Sequence, residues 1–117
     1  MITLFGISNC DTMRKSGKWL DSQDVDWVLH DYRKHGLDQA LASALMTAFG
    51  AENLINKRGT TWRQLDAGQQ SRITDQALAI ELIIAFPALI KRPVARTQAY
   101  DWLIGYDQLL TLSPSQN

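Results

Sequence analysis

The sequence predicts an α/β (α+β) fold: a four-stranded mixed β-sheet flanked by helices, with a helical insertion between strands two and three. Three observations predict it. First, an N-terminal apolar run passes through a Gly/Ser/Asn turn into a helical pattern and then into a second, alternating apolar run. That β-α-β order demands parallel strands joined by a right-handed crossover. Second, residues 37–86 carry helical spacing with no strand pattern. Third, the chain closes on two short apolar runs, near enough in sequence to pair antiparallel, and a last helix.

Residues 1–7 read as the first strand, with Ile2, Leu4 and Ile7 as its bulk and Gly6, Ser8 and Asn9 as its turn. Residues 11–23 have the 3.6-residue spacing of a helix, with Met13, Ser16/Gly17 and Leu20 on one face. Residues 25–32 form the second strand, where Val25, Trp27 and Leu29 alternate with Asp26, Val28 and His30. Residues 32–36 are a charged connector. A helix over 37–49 repeats Leu37, Leu41, Leu45 and Ala48/Phe49 and stops at Gly50. Leu54 and Ile55 begin an irregular stretch, and residues 62–65 make a brief helical turn. Thr74 is the expected N-cap of a mostly apolar helix over 75–86. A strand follows over 89–96, a turn over 96–99 and a strand over 100–106. Gly105 marks a bend, Asp107 caps a last helix through Leu112, and residues 113–117 are expected to be loose. This order is the thioredoxin-like plan with a helical insertion in its middle.

The chain's one cysteine, Cys10, falls at the junction of the first strand, its loop and the first helix. A helix start turns free backbone N–H groups toward the sulfur and stabilises the thiolate, the form that reacts. For a thiol in general, a pKa lowered by two units gives about 25-fold more thiolate at pH 7, and lost nucleophilicity cuts the net gain to about 3-fold. The larger benefit is a better leaving group. Arg14 and Lys15 add positive charge one turn on, and Asp11 opposes them. Free cysteine is also among the most buried residue types, so position alone leaves a reactive and a structural reading open.

At 117 residues the chain is one domain with room for its own core. Its 12 basic and 12 acidic residues balance, which argues against an electrostatic nucleic-acid binder. A single cysteine makes no internal disulfide, so a reducing cytoplasm is the expected compartment. No basic stretch precedes a long apolar run, so no signal peptide is expected. The most apolar segment, 77–90, is broken by Glu81 and Pro87 and is too short for a membrane span. His30 and His35 have no thiol or carboxylate cluster beside them, so no metal site is expected. Trp19, Trp27, Trp62 and Trp102 read as packing residues. Lys57, Arg58 and Arg63 read as a solvated basic patch.

Four segments together carry a resemblance: Ile2-Thr3-Leu4-Phe5-Gly6 through Asn9-Cys10-Asp11-Thr12; His30-Asp31-Tyr32-Arg33; Asn56-Lys57-Arg58-Gly59-Thr60-Thr61-Trp62-Arg63-Gln64-Leu65; and Ile90-Lys91-Arg92-Pro93. In this combination and order the chain resembles the arsenate reductase (ArsC)/Spx family, and within it the YffB-like proteins. The resemblance implies a thioredoxin-like fold and a catalytic cysteine at Cys10. It implies Arg92 near that thiol and a cis peptide bond before Pro93. An arginine offers a planar fork that pairs with a carboxylate or oxyanion at two points. Asn9, Asp11, Thr12, Arg58 and Pro93 are the expected substrate-binding residues, with glutathione as co-substrate and no tightly bound cofactor.

Two departures from the family bear on chemistry. Arsenate reductases gather several arginines around the cysteine. Arg92 matches one, Arg58 stands about two positions from another, and Trp102 occupies the region of a further one. This counts against arsenate reduction, because a tetrahedral oxyanion needs several converging cations. Redox-sensing Spx proteins carry Cys-x-x-Cys, whereas Met13 stands here at the second position. Any disulfide must then form with another molecule. Three readings result: a glutathione-dependent monothiol reductase, an arsenate reductase coupled to glutathione and glutaredoxin, and a non-catalytic Spx-like regulator that binds RNA polymerase.

Overall fold

The computed structural model describes residues 1–112, so the expectation for 113–117 lies outside the described residues. In chain order the elements are β1 (Ile2–Gly6), α1 (Asp11–Ser22), β2 (Trp27–Asp31), α2 (Gln39–Phe49), α3 (Ala51–Leu54), α4 (Thr60–Gln64), α5 (Ala67–Ser71), α6 (Gln76–Ala85), β3 (Val94–Arg96), β4 (Trp102–Ile104) and α7 (Tyr106–Leu109). Short 3₁₀ turns cover Arg72–Thr74 and Pro87–Leu89. The chain divides into two compact units: Met1–His35 with the segment from Arg92 onward, and Gly36–Lys91.

The first unit holds a mixed four-stranded sheet in the order β2-β1-β3-β4. β1 runs parallel to β2, from Ile2 opposite Trp27 to Gly6 opposite Asp31. β1 runs antiparallel to β3, with Phe5 opposite Val94, and β3 antiparallel to β4, with Val94 opposite Ile104. One core joins Ile2, Leu4, Met13, Leu20, Val25, Ala95, Leu109 and Leu112, with Cys10, Trp19, Trp27, Leu29 and Leu103 packed against it. α1 buries Met13, Ser16, Gly17 and Leu20, the face its periodicity predicts. The Ser16 hydroxyl donates to the Thr12 carbonyl at 2.7 Å, so its burial leaves no donor unpaired. Gly17 is needed by the approach of α1 to β2: a Cβ there would stand 2.7 Å from Cζ2 of Trp27.

The second unit is helical. α2 packs on α6, and its buried side chains include Leu45, Met46, Leu54, Ile55, Ile80, Leu82, Ile83, Leu89 and Ile90. Ile55 and Ile90 form an isolated antiparallel bridge, flanked by Asn56 N–H to Leu89 O at 2.8 Å and Lys91 N–H to Leu54 O at 2.9 Å.

Several elements differ from expectation for identifiable reasons. α2 starts at Gln39 because the Asp38 carboxylate caps it through the Leu41 N–H at 2.8 Å; Leu37 stands outside it, and the buried face is Ala42, Leu45 and Met46. Asp75, not Thr74, caps α6, accepting from the Leu78 N–H at 3.0 Å. The Thr74 hydroxyl instead donates to the Ser71 carbonyl at 2.9 Å. α5 is set by a capping box between Asp66 and Gln69. β3 begins only at Val94, because residues 87–89 form a 3₁₀ turn. Asp107 lies inside the first turn of α7, and Gly105 at φ +87° precedes that helix. No helix among the described residues is long and apolar enough to cross a membrane.

Candidate functional site

The site is built at the end of the sheet where β1 delivers the chain to α1. After Gly6 the chain turns through Ser8 and Asn9. Asn9 adopts φ +68°, a left-handed conformation that asparagine tolerates better than most residues. Cys10 follows in extended conformation as the N-cap residue of α1, and its carbonyl accepts the Arg14 N–H at 3.0 Å. Cys10 is half-buried. It packs against the core and is not sealed by it.

The sulfur makes no capping hydrogen bond to the first turn of α1. A thiol is a weak acceptor. The nearby positive charges are also engaged elsewhere. Arg14 pairs with Asp11, and the Lys15 ammonium lies 4.0 Å from the centre of the Tyr106 ring. A cleft of about 500 Å³ runs beside this helix, lined by Asp11, Arg14, Lys15, Lys18, Trp19 and Tyr106.

The second side of the site comes from β3. The Arg92–Pro93 peptide bond is cis, Pro93 is buried, and its carbonyl accepts the Gly105 N–H at 2.8 Å. Val94 pairs with Phe5, so Pro93 stands one step further along, at the end of β1 from which the Cys10 loop departs. Arg92 is half-buried.

Two residues that sequence reasoning did not single out complete this end of the sheet. The Asp31 side chain, 1% exposed, accepts from Ser8 N–H at 2.9 Å, Arg33 N–H at 2.8 Å and Lys34 N–H at 3.3 Å. Burial alone would push its carboxyl up; the hydrogen bonds from Ser8, Arg33 and Lys34 outweigh that and hold it well below the usual carboxylate range. Tyr32, read from sequence as part of a charged connector, is 3% exposed. Its N–H donates to Gly6 O at 2.9 Å, and its ring stacks on Phe5 with centroids 6.3 Å apart. Its hydroxyl is buried without a hydrogen-bond partner among the described residues. Burial pushes the phenol up, and the Arg92 guanidinium acts in the opposite sense. The only sequence signal for either residue was their membership of the His30–Arg33 segment.

Of the expected site residues, Asn9, Cys10, Asp11 and Thr12 are contiguous at the start of α1, with Asn9 and Asp11 exposed and Thr12 half-buried. Arg92 and Pro93 share the sheet end with them. Arg58 belongs to the second unit, is exposed, and donates its N–H to the Asn56 side chain at 3.1 Å. Trp102, in the region where a further arginine was sought, lies in β4 with its ring 5.6 Å from Phe5 and under the Arg96 guanidinium at 4.6 Å. Arg96 pairs with Thr3, near the opposite end of β1, so it does not supply the missing cation beside the thiol. Met13 is buried in the core at the position a second cysteine would take. No group of three or more His, Cys, Asp or Glu among the described residues could hold a metal ion.

Comparison with known proteins agrees with this architecture. The chain matches the ArsC family over residues 5–109. It is 44% identical over 108 residues to an uncharacterized protein of Haemophilus influenzae, covering 92% of this chain and 93% of that one. It is 31% identical over 101 residues to the global transcriptional regulator Spx of Streptococcus pyogenes serotype M3, covering 84% of this chain and 73% of Spx. A solved structure named YFFB protein superposes with a TM-score of 0.82 at 39% identity, covering 91% of each chain. With its thioredoxin-like mixed sheet and its thiol at the β1–α1 junction, the chain belongs to the ArsC family, alongside the Spx and YffB-like proteins.

Proposed function

We propose that this protein is a thiol-dependent oxidoreductase of the reducing cytoplasm, acting as a glutathione-dependent monothiol reductase with Cys10 as nucleophile. The observation that carries this reading is a single half-buried cysteine at the N-cap of a 12-residue helix, at the same sheet end as Arg92 and Pro93. In the first step the Cys10 thiolate attacks the glutathione sulfur of a mixed disulfide. An S–S bond forms between Cys10 and glutathione, and the substrate leaves as its thiolate. In the second step another glutathione thiolate attacks that sulfur, releases glutathione disulfide and restores the Cys10 thiolate. One glutathione thiol is consumed per turnover: it is oxidised into glutathione disulfide as the substrate sulfur is reduced from disulfide to thiol, and the proton it loses to solvent balances the one that neutralises the leaving thiolate.

Arg92 would hold a glutathione carboxylate through its planar fork, and the backbone around cis-Pro93 would receive the extended tripeptide. In a glutathione-coupled disulfide assay Cys10→Ser abolishes turnover; unchanged turnover overturns the reading. The Spx relationship favours a second reading, a regulator that binds RNA polymerase. Retention of polymerase subunits by the immobilised protein, with Cys10→Ser retaining them equally, would favour that reading over catalysis. The arginine departures keep arsenate reduction third; arsenate turnover with glutathione and glutaredoxin tests it.

A further inference from the structure

We infer that Asp31 is a positioning residue for the nucleophile, acting through the Ser8 backbone N–H to hold the turn that sets Cys10 at the start of α1. The inference rests on the reading of Cys10 as nucleophile.

Asp31 ends β2, directly opposite Gly6 at the end of β1. Its two carboxylate oxygens divide their work. Oδ2 takes the Ser8 N–H, in the loop that leads to Cys10, while Oδ1 takes the Arg33 and Lys34 N–H groups of the turn after β2. The Asp31 N–H donates to Nδ1 of His35 at 2.9 Å, which closes that turn from its other side. The carboxylate therefore clamps two loops that are 23 residues apart in sequence. Only Asn9 separates the clamped Ser8 from Cys10, and Asn9 is held in its left-handed conformation. Fixing Ser8 thus fixes where Cys10 enters the helix.

Chemistry explains why an aspartate serves here. A buried charge is costly unless hydrogen bonds replace its water. Three of the donors are backbone amides, and the Ser8 side chain adds to the amide of the same residue; Arg33 and Lys34 contribute their N–H groups while their side chains are exposed. An asparagine keeps one acceptor oxygen but turns an NH₂ group toward either the Ser8 N–H or the N–H groups of the turn, setting donor against donor. The side-chain charges flanking Cys10 on α1, Asp11 and Arg14, are paired with each other. Where the backbone sets Cys10 then decides which groups the sulfur faces.

The test uses the full chain with Asp31→Asn. Cys10 alkylation by iodoacetamide is measured at about pH 7 and about pH 10, and the ratio of rates separates ionisation from access. The ratio is expected to change by about threefold or more, because a loosened turn no longer holds the sulfur in one place relative to the groups around it. Ser8 amide exchange is expected to accelerate by about tenfold or more while Leu4 in β1 keeps its protection. A ratio equal to wild type, or an unchanged Ser8 exchange rate, overturns the proposal. If Asp31→Asn fails to fold, wild-type exchange decides: Ser8 must be as protected as Arg33, and exchange at the rate of a free loop overturns the clamp. Alkylation needs no turnover, so this outcome is independent of whether Cys10→Ser removes catalysis.

Discussion

Replacing Tyr32 by phenylalanine should make the protein more stable. The Tyr32 ring is enclosed at 3% exposure and stacked on Phe5. Its hydroxyl lies buried without a hydrogen-bond partner among the described residues. Mutational data put the cost of burying such a group unpaired at about 1–3 kcal/mol. Burial keeps the phenol neutral, and the Arg92 guanidinium, which favours only the phenolate, leaves that cost standing. We therefore expect a net gain of about 1 kcal/mol on Tyr32→Phe, at the lower end of the range. For 117 residues this corresponds to a Tm rise of roughly 4 °C. Urea unfolding of both proteins at pH 7 should show a higher midpoint with an unchanged slope. A loss of about 1 kcal/mol or more would refute the reasoning, since it would mean that the hydroxyl is engaged in the folded protein.

Three further outcomes are expected. Gly17→Val drives a branched side chain against the Trp27 ring and should destabilise the fold by about 1–3 kcal/mol, read as a lower thermal midpoint; an unchanged midpoint would show that the ring yields freely. Because the folded-state pKa of Asp31 is depressed, its carboxylate contributes stability that is complete above its unfolded value of about 3.9 and is lost as pH falls from there through the folded value. Wild type should lose more urea resistance along that acid limb than Asp31→Asn does, and parallel profiles would contradict the assignment. Arg92→Ala should lower kcat/KM for glutathione by about 10- to 100-fold, the equivalent of one charge-assisted hydrogen bond, and Arg92→Lys should restore only part of it; an unchanged KM for glutathione would remove Arg92 from the site.

The parts of this protein legible in its sequence are those governed by local periodicity. α1 could be phased because polar residues separate Met13, Ser16, Gly17 and Leu20, leaving one possible buried face. α2 could not, because its run of Leu, Ala and Met marks several faces almost equally. There the cap at Asp38, not the apolar stripe, sets where the helix starts. The short helices between Ala51 and Ser71 depend on individual caps and on the Ile55–Ile90 bridge, whose partners are far apart in sequence. The same distance hid half of the candidate site. Cys10, Arg92 and Pro93 could be named from motifs. Asp31 and Tyr32 read only as the end of a strand and the start of its connector until β1 and β2 are side by side, because their partners Ser8 and Gly6 lie on the other strand's exit.

With Met13 sunk in the core one turn beyond the only cysteine, the chain has nowhere to store an oxidising equivalent as a disulfide of its own. Every disulfide it enters is a covalent union with a second molecule, so its oxidised state carries a mass tag naming the last thiol it met. How long such a union lasts depends on the supply of free thiol able to exchange with it.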